Sequence, residues 1–216
     1  MLTGLLGGSF NPAHGGHRRI TRFTIDALGL DEAWWLVSPG NPLKPKAGMA
    51  PLGARLRSAG AQARCAPIIP TAIESELKTR YTVDTLRKLK HRYKSRQFVW
   101  LMGSDNLAEF HRWKDWRIIA RTIPIAVIAR PGYTKDAMTS PAMAWLRRYS
   151  VSVAGFRQMG RERSGRAPAL VLLRFDPDHR SATAIRRSKA DWADDYRTTR
   201  AMRDRLTFKQ IKEPIA

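Results

Sequence analysis

The sequence predicts an α/β protein built on a doubly wound parallel sheet. Three observations carry that expectation. Short continuous apolar runs alternate with segments whose apolar residues recur every three or four positions, as in buried parallel strands joined by helices. The runs end in turns rich in Gly, Pro or Ser. Of the 216 residues 43% are hydrophobic, enough for a sizeable core, which excludes global disorder.

Leu2 to Leu6, ending at Gly7-Gly8, reads as the first buried strand. His17 to Leu28 places Ile20, Phe23, Thr24, Ala27 and Leu28 on one helical face and stops at Gly29. Ala33 to Val37 is the second strand. Residues 39–51 hold four prolines and two glycines and form a loop, basic at Lys44 and Lys46. Residues 52–65 form a helix. Ile68-Ile69 and Ala72 to Glu76 read as short strands. Thr82 to Tyr93 is helical, with Val83, Leu86, Leu89 and Tyr93 on one face. Phe98 to Met102 is a strand running into Gly103-Ser104-Asp105, and Ile123 to Ala129 one running into Arg130-Pro131-Gly132. Met143 to Tyr149 is a helix, 155–168 a mobile Gly/Arg/Ser loop, and Leu170 to Phe175 a late strand. Ser181 caps a helix reaching Ser188. One domain is expected over 1–190, with 191–216 as a helical extension of it. Parallel sheets bind ligands at the carboxyl ends of their strands. The turns at 7–17, 103–106 and 130–132 should therefore share one rim.

Lys and Arg number 39 against 18 Asp and Glu, a net charge of +21. Charge alone leaves three readings open: nucleic acid, an anionic small substrate, or a solvated basic face. Residues 78–96 carry eight basic side chains against Asp84 alone, but on a helix with an apolar face, so a solvated face is expected there. Aromatics are not interleaved with the basic clusters as base-stacking platforms require, so nucleic acid is not an expected partner. A single cysteine, Cys65, excludes an intramolecular disulfide and a Cys-based zinc site. No apolar run approaches the ~20 residues of a membrane helix, and the start lacks a basic leader segment. A cytoplasmic location without membrane partners is expected; a homo-oligomer is left open.

Residues 7–17 read GGSFNPAHGGH. Glycines after a buried strand let backbone approach a ligand closely, and the helix N-terminus that follows attracts phosphate. His14 and His17, three apart, lie on one side of that helix start. Imidazoles there can donate to phosphoryl oxygens as charge builds up in a transition state. No metal is assigned to side chains, because the other three His have no ligand spacing. The segment matches neither G-x-x-x-x-G-K-[ST] nor G-x-G-x-x-G.

GGSFNPAHGGH resembles the signature of the H-x-G-H nucleotidyltransferases, and within them the nicotinate-nucleotide adenylyltransferases. Further matches follow in order: Asn41-Pro42-Leu43-Lys44, Pro51-Leu52 with Arg55-Leu56, Tyr81-Thr82-Val83-Asp84-Thr85-Leu86, Gly103-Ser104-Asp105-Asn106-Leu107, Phe110-His111-Arg112-Trp113, Arg130-Pro131-Gly132 and Ser181-Ala182-Thr183-Ala184-Ile185-Arg186. The family often has Ser where this chain has Ala182, which removes one phosphate hydroxyl. The resemblance spans about residues 2–190 and implies a Rossmann-like nucleotidyltransferase fold. It implies transfer of AMP from ATP to nicotinate mononucleotide, giving nicotinate adenine dinucleotide and pyrophosphate. Mg²⁺ would bind through the ATP phosphates. By the same resemblance His14, His17, Lys44 and Arg186 are catalytic. Gly7, Gly8, Ser9, Phe10, Gly103, Asp105, Ser181, Thr183 and Arg186 would bind ATP. Asn11, Lys44, Tyr81, Thr82, Thr85, Trp113 and Arg130 would bind the mononucleotide. The alternatives are a related adenylyltransferase for nicotinamide mononucleotide or phosphopantetheine and, ranked below it, a basic nucleic-acid-binding protein.

Overall fold

The computed structural model of the chain describes residues 1–40, 48–129, 134–162, 167–175, 182–197 and 202–211. Six strands, β1 (Leu2–Gly8), β2 (Glu32–Val37), β3 (Ile68–Thr71), β4 (Gln97–Gly103), β5 (Ile125–Ile128) and β6 (Leu170–Leu173), form one sheet in the order β3-β2-β1-β4-β5-β6. Every pairing is parallel. The chain steps outward from β1 to β3, returns across the sheet and lays down β4 to β6 on the other side. The order reverses between β1 and β4, which opens a crevice above their carboxyl ends. The doubly wound parallel sheet is thus as expected.

Ten α-helices and three 3₁₀ turns accompany the sheet among the described residues, the α-helices being α1 (Gly15–Leu28), α2 (Leu52–Gln62), α3 (Ile73–Leu77), α4 (Thr82–Arg92), α5 (Ser104–Glu109), α6 (Trp116–Thr122), α7 (Thr134–Thr139), α8 (Pro141–Leu146), α9 (Val153–Arg161) and α10 (Ala182–Ser188). Alternate strand residues face opposite sides, so the sheet has two cores. On one side Leu5, Trp34, Trp100, Met102 and Val127 pack with Leu86 and Leu89 of α4, Ile119 of α6 and Leu146 of α8. On the other, Leu6, Trp35, Leu101 and Ile128 pack with Ile25 and Leu28 of α1, Leu56 of α2 and Phe156 of α9. Both faces are dry, which is why the strands read as continuous apolar runs rather than alternating ones.

Two expected elements differ. Ala72 to Glu76 is not a strand; the chain leaves the sheet after Thr71 and starts α3. The reason lies far away in sequence. The buried carboxylate of Asp204 accepts the Ala72 N–H at 2.6 Å and the Thr71 hydroxyl, and Thr71 Oγ1 accepts the Ile73 N–H at 3.1 Å. These bonds satisfy amides that a strand would have given to a ladder. The loop expected over 155–168 begins instead as α9, capped by Ser152, whose hydroxyl accepts the Gly155 N–H at 3.0 Å, and anchored by buried Phe156.

Of the helical extension expected over 191–216, the described residues hold one 3₁₀ turn, Asp194–Tyr196, and an antiparallel bridge between Arg203 and Gln210. This segment is fastened to the sheet. Asp204 also accepts from the Leu206 and Thr207 amides at 2.9 and 3.0 Å, and Arg57 of α2 donates to the Tyr196 carbonyl.

Several arginines lie over aromatic rings of the fold. Arg117 lies over Trp116 at 4.8 Å, Arg121 over Trp145 at 5.4 Å and Arg148 over Tyr149 at 6.0 Å. The Arg121 contact crosses between helices, so spacing does not reveal it. These guanidinium planes cover ring faces and spread part of the positive charge over the core's edge.

Asp204→Ala should cost about 3 kcal/mol, because it orphans the buried Ala72 amide and Thr71 hydroxyl and the half-buried amides of Leu206 and Thr207. A fall in melting temperature of roughly 6–12 °C is the expected outcome. A melt like wild type would place residues 202–211 outside the cooperative unit.

Candidate active site

The first part of the site is the turn leaving β1. A Cβ at Gly7 would lie 2.9 Å from the Trp100 ring, so the missing side chain makes room for an indole of the core. Phe10 then adopts φ +47°, a left-handed conformation uncommon for a bulky residue. That bend turns its ring inward, 5.1 Å from Trp35 and 4.9 Å from His17. His14 is the N-cap of α1. Its Nδ1 accepts the Gly16 N–H at 3.1 Å, and Nδ1 of His17 accepts the His14 N–H at 3.2 Å. The two imidazoles thus form a reciprocal capping box, with ring centroids 4.0 Å apart. An Nδ1 that accepts carries no proton, so each neutral ring keeps its proton on Nε2.

This turn is braced from three directions. Arg55 of α2 is 1% exposed, and its guanidinium donates to the carbonyls of Ala50, Ser9 and Ser38 at 2.7–2.8 Å. Ser58 accepts the Ala13 N–H at 3.2 Å. The side chain of Asn11 is buried, donating to the Gly48 carbonyl at 2.9 Å and accepting the Ala50 N–H at 3.2 Å. Its own carbonyl accepts from Arg186 Nη1 at 2.6 Å, and Arg186 Nη2 donates to Thr183 Oγ1 at 3.2 Å. Arg186 and Thr183 of α10 therefore stand beside the β1 turn, 175 positions from Asn11.

The second part lies across the crevice, at the end of β4. A Cβ at Gly103 would sit 2.3 Å from Asp105 Oδ1, so only glycine lets that carboxylate fold back over the strand end. Trp113 is half-buried and packs edge-on against Trp100, at 6.0 Å, and Phe110, at 5.3 Å. The adjacent Lys114 lies 4.6 Å from the Tyr81 ring and 3.8 Å from Asp84 Oδ2. The Trp113 loop is thereby tied to the start of α4, where Tyr81, Thr82 and Thr85 sit. Tyr81 is the N-cap of α4 and makes no side-chain capping bond.

Behind Thr85 lies a group the sequence does not single out. Glu74 is buried, and its Oε1 accepts from Thr85 Oγ1 at 3.1 Å. Burial pushes its carboxyl up from 4.5 to about 7, against the opposing pull of hydrogen bonds from Thr85 and Ser38.

The structure brings Gly7, Gly8, Ser9, Phe10, Asn11, His14, His17, Thr183 and Arg186 together around the β1 turn. It places Gly103, Asp105, Tyr81, Thr82, Thr85 and Trp113 around the ends of β4 and the start of α4. Lys44, Arg130 and Ser181 lie outside the described residues. Arg55, Ser58 and Glu74 are the residues that reading the sequence misses as site members. Arg55 did carry a signal: it shares the apolar helical stripe of Leu52, Leu56 and Ala59, where a charge needs buried partners. Glu74 carried none, because a strand was expected there. Among the described residues, no helix is long and apolar enough to cross a membrane.

Known proteins of this construction exist. The cytidylyltransferase-like family matches residues 5–188. A probable nicotinate-nucleotide adenylyltransferase of Erythrobacter litoralis is 65% identical, over 99% of this chain and 97% of that protein. Another, of Parvibaculum lavamentivorans, is 49% identical over 89% of this chain and 94% of its own length. Among solved structures, the nicotinic acid mononucleotide adenylyltransferase of Plasmodium falciparum complexed with NaAD aligns at TM-score 0.64. It is 15% identical and covers 86% of this chain and 82% of that one, a likeness of fold. With the family's match spanning most of the chain and relatives this similar over nearly their whole length, the chain belongs to the nicotinate-nucleotide adenylyltransferase family, within the cytidylyltransferase-like group.

Proposed function

We propose that this enzyme transfers AMP from ATP to nicotinate mononucleotide, releasing pyrophosphate. The observation that carries the reading is the reciprocal histidine cap at the sheet's switch point, which sets two imidazoles side by side at one helix start. A 5′-phosphate oxygen of the mononucleotide attacks the α-phosphorus of ATP. One P–O bond forms, the α–β bridging P–O bond breaks, and pyrophosphate departs with the electron pair. The attacking group is already an anion, so catalysis reduces to positioning and charge stabilisation.

His14 and His17 bind the ATP phosphates, with His17 donating to the oxygen on which charge grows. Arg186 adds a permanent cation with fork geometry, Thr183 a hydroxyl, and Lys44 and Ser181 further phosphate donors. Gly7 to Phe10 offer backbone. Asp105, folded over Gly103, accepts from a ribose hydroxyl of ATP. The donor set around His14 is suited to phosphate rather than to a cation, so the residues fit a Mg²⁺ ion held through the nucleotide's oxygens. That ion would neutralise phosphate charge.

Trp113, its ring orientation fixed by Trp100 and Phe110, stacks on the nicotinate ring. The nicotinate carboxylate meets the first-turn amides of α4 near Tyr81 and Thr82, where no side chain caps the helix. A carboxamide would mispair with those donors. Thr85 and Asn11 shape this pocket, and Arg130 adds an anion contact to it. A cytoplasmic location fits reduced Cys65 and a nucleotide substrate pair.

Pyrophosphate release from ATP and Mg²⁺ tests the reaction. Release with nicotinate mononucleotide and little with the nicotinamide form is expected. Equal release would remove the carboxylate site at Tyr81 and Thr82, and no release with either would overturn the assignment. His17→Ala should fold normally and lose roughly 10²–10³ in turnover, the cost of one transition-state donor; unchanged turnover would refute that role. Trp113→Ala should raise KM for the mononucleotide far more than KM for ATP, and equal increases would argue against stacking.

A further inference from the structure

We propose that Glu74 is a positioning residue that sets the mononucleotide pocket's preference for the acid substrate, acting through Thr85 on the turn at Tyr81. The inference rests on the reading of the α4 start as the site for the nicotinate carboxylate.

Glu74 sits in the first turn of α3, directly after the carboxyl end of β3, and so at the rim. It links three segments. Its backbone carbonyl accepts the Thr79 N–H at 3.0 Å, its Oε1 lies 3.1 Å from Thr85 Oγ1, and the Ser38 side chain beyond β2 is its second side-chain partner. Thr85 Oγ1 also stands 2.8 Å from Thr79 Oγ1 and 3.3 Å from the Tyr81 carbonyl. A hydroxyl has one proton to give. When Glu74 is ionised, it draws that proton and Thr85 is committed to it. When Glu74 is protonated, it donates to Thr85 Oγ1 and frees the Thr85 proton for the Tyr81 carbonyl, while Thr79, itself a donor, holds Thr85 in either state. The protonated acid therefore ties down the turn that carries the pocket. It also keeps an uncompensated anion away from the substrate's carboxylate.

Burial favours the protonated form up to about pH 7. The charged groups on surrounding elements are engaged elsewhere. Arg55 of α2 binds carbonyls, Asp204 binds the β3 end, Glu76 of α3 pairs with Arg92 and Lys209, and Asp84 of α4 contacts Arg87 and Lys114. The sign follows from the raised value. A carboxyl whose folded value lies above its unfolded one favours folding at low pH, and that advantage is lost as pH climbs from 4.5 through about 7.

The test compares the wild-type enzyme with Glu74→Gln and Glu74→Ala, measuring pyrophosphate release between pH 6 and 8.5. Gln is a permanent mimic of the neutral acid. Relative to Glu74→Gln, the wild-type KM for nicotinate mononucleotide should rise about tenfold across that window, and KM for nicotinamide mononucleotide less than twofold. Taking the ratio cancels titration of the substrate's own phosphate. KM for ATP should differ less than twofold, and Glu74→Ala should bind the mononucleotide poorly at every pH. The melting temperature of Glu74→Gln should gain on wild type as pH rises from 5 to 8. A constant KM ratio would overturn the proposal, as would variants that change melting alone. Wild-type enzyme that releases no pyrophosphate at any pH would fail the adenylyl-transfer reading itself, and this inference with it.

Discussion

The guanidinium of Arg55 joins the ends of β1 and β2 to the start of α2 through the carbonyls of Ser9, Ser38 and Ala50. A parallel sheet leaves the carboxyl end of each strand with nothing local to orient the chain that departs from it. Each departing turn must be held by a group arriving from elsewhere. A buried cation does this with direction, because its five N–H groups point along fixed lines and its desolvation cost is offset only where carbonyls meet them. Once Ser9 and Ser38 are set, Phe10 can occupy a left-handed conformation and turn its ring onto Trp35. The chain then enters α1 at His14 with the geometry its cap requires.

The strands and the helices around them were legible because burial on both faces leaves a strong periodic signal. The segment at 7–17 stood out because its residue types are unusual, paired His beside paired Gly, whereas Asp105 and Trp113 were named through the family resemblance. What stayed hidden is what the chain makes between distant segments. Asp204 turns 72–76 from a strand into a helix from some 130 positions away, and no local pattern can contain that. Arg121 over Trp145 is the same kind of case. Glu74 shows how one error propagates: a mistaken strand removed from view the carboxyl that lies behind the pocket.

The charge of the chain takes on a more specific meaning in the fold. Part of the excess lies flat on aromatic rings along α6 and α8, where guanidinium groups close the edge of the core. Part bridges elements through carbonyls, as Lys90 does from α4 to Thr122 of α6 at 3.1 Å. At the rim Arg186 is tied in place. Arg186 is held by the Asn11 carbonyl and the Thr183 hydroxyl, so its side chain keeps little freedom.

The histidine cap connects these threads. An imidazole usually offers a choice of tautomer and a titration near neutrality. Here both Nδ1 atoms are used by backbone amides of the helix they begin, so local folding decides where the proton resides. Protonating either ring at Nδ1 would set N–H against N–H and undo the cap. The rings are oriented by α1 itself, while a permanent charge is supplied by Arg186 of α10. That division suits a reaction in which charge moves between phosphate oxygens and no proton needs to be taken. Donors fixed by folding need little rearrangement as the transition state forms, which is where their contribution is largest.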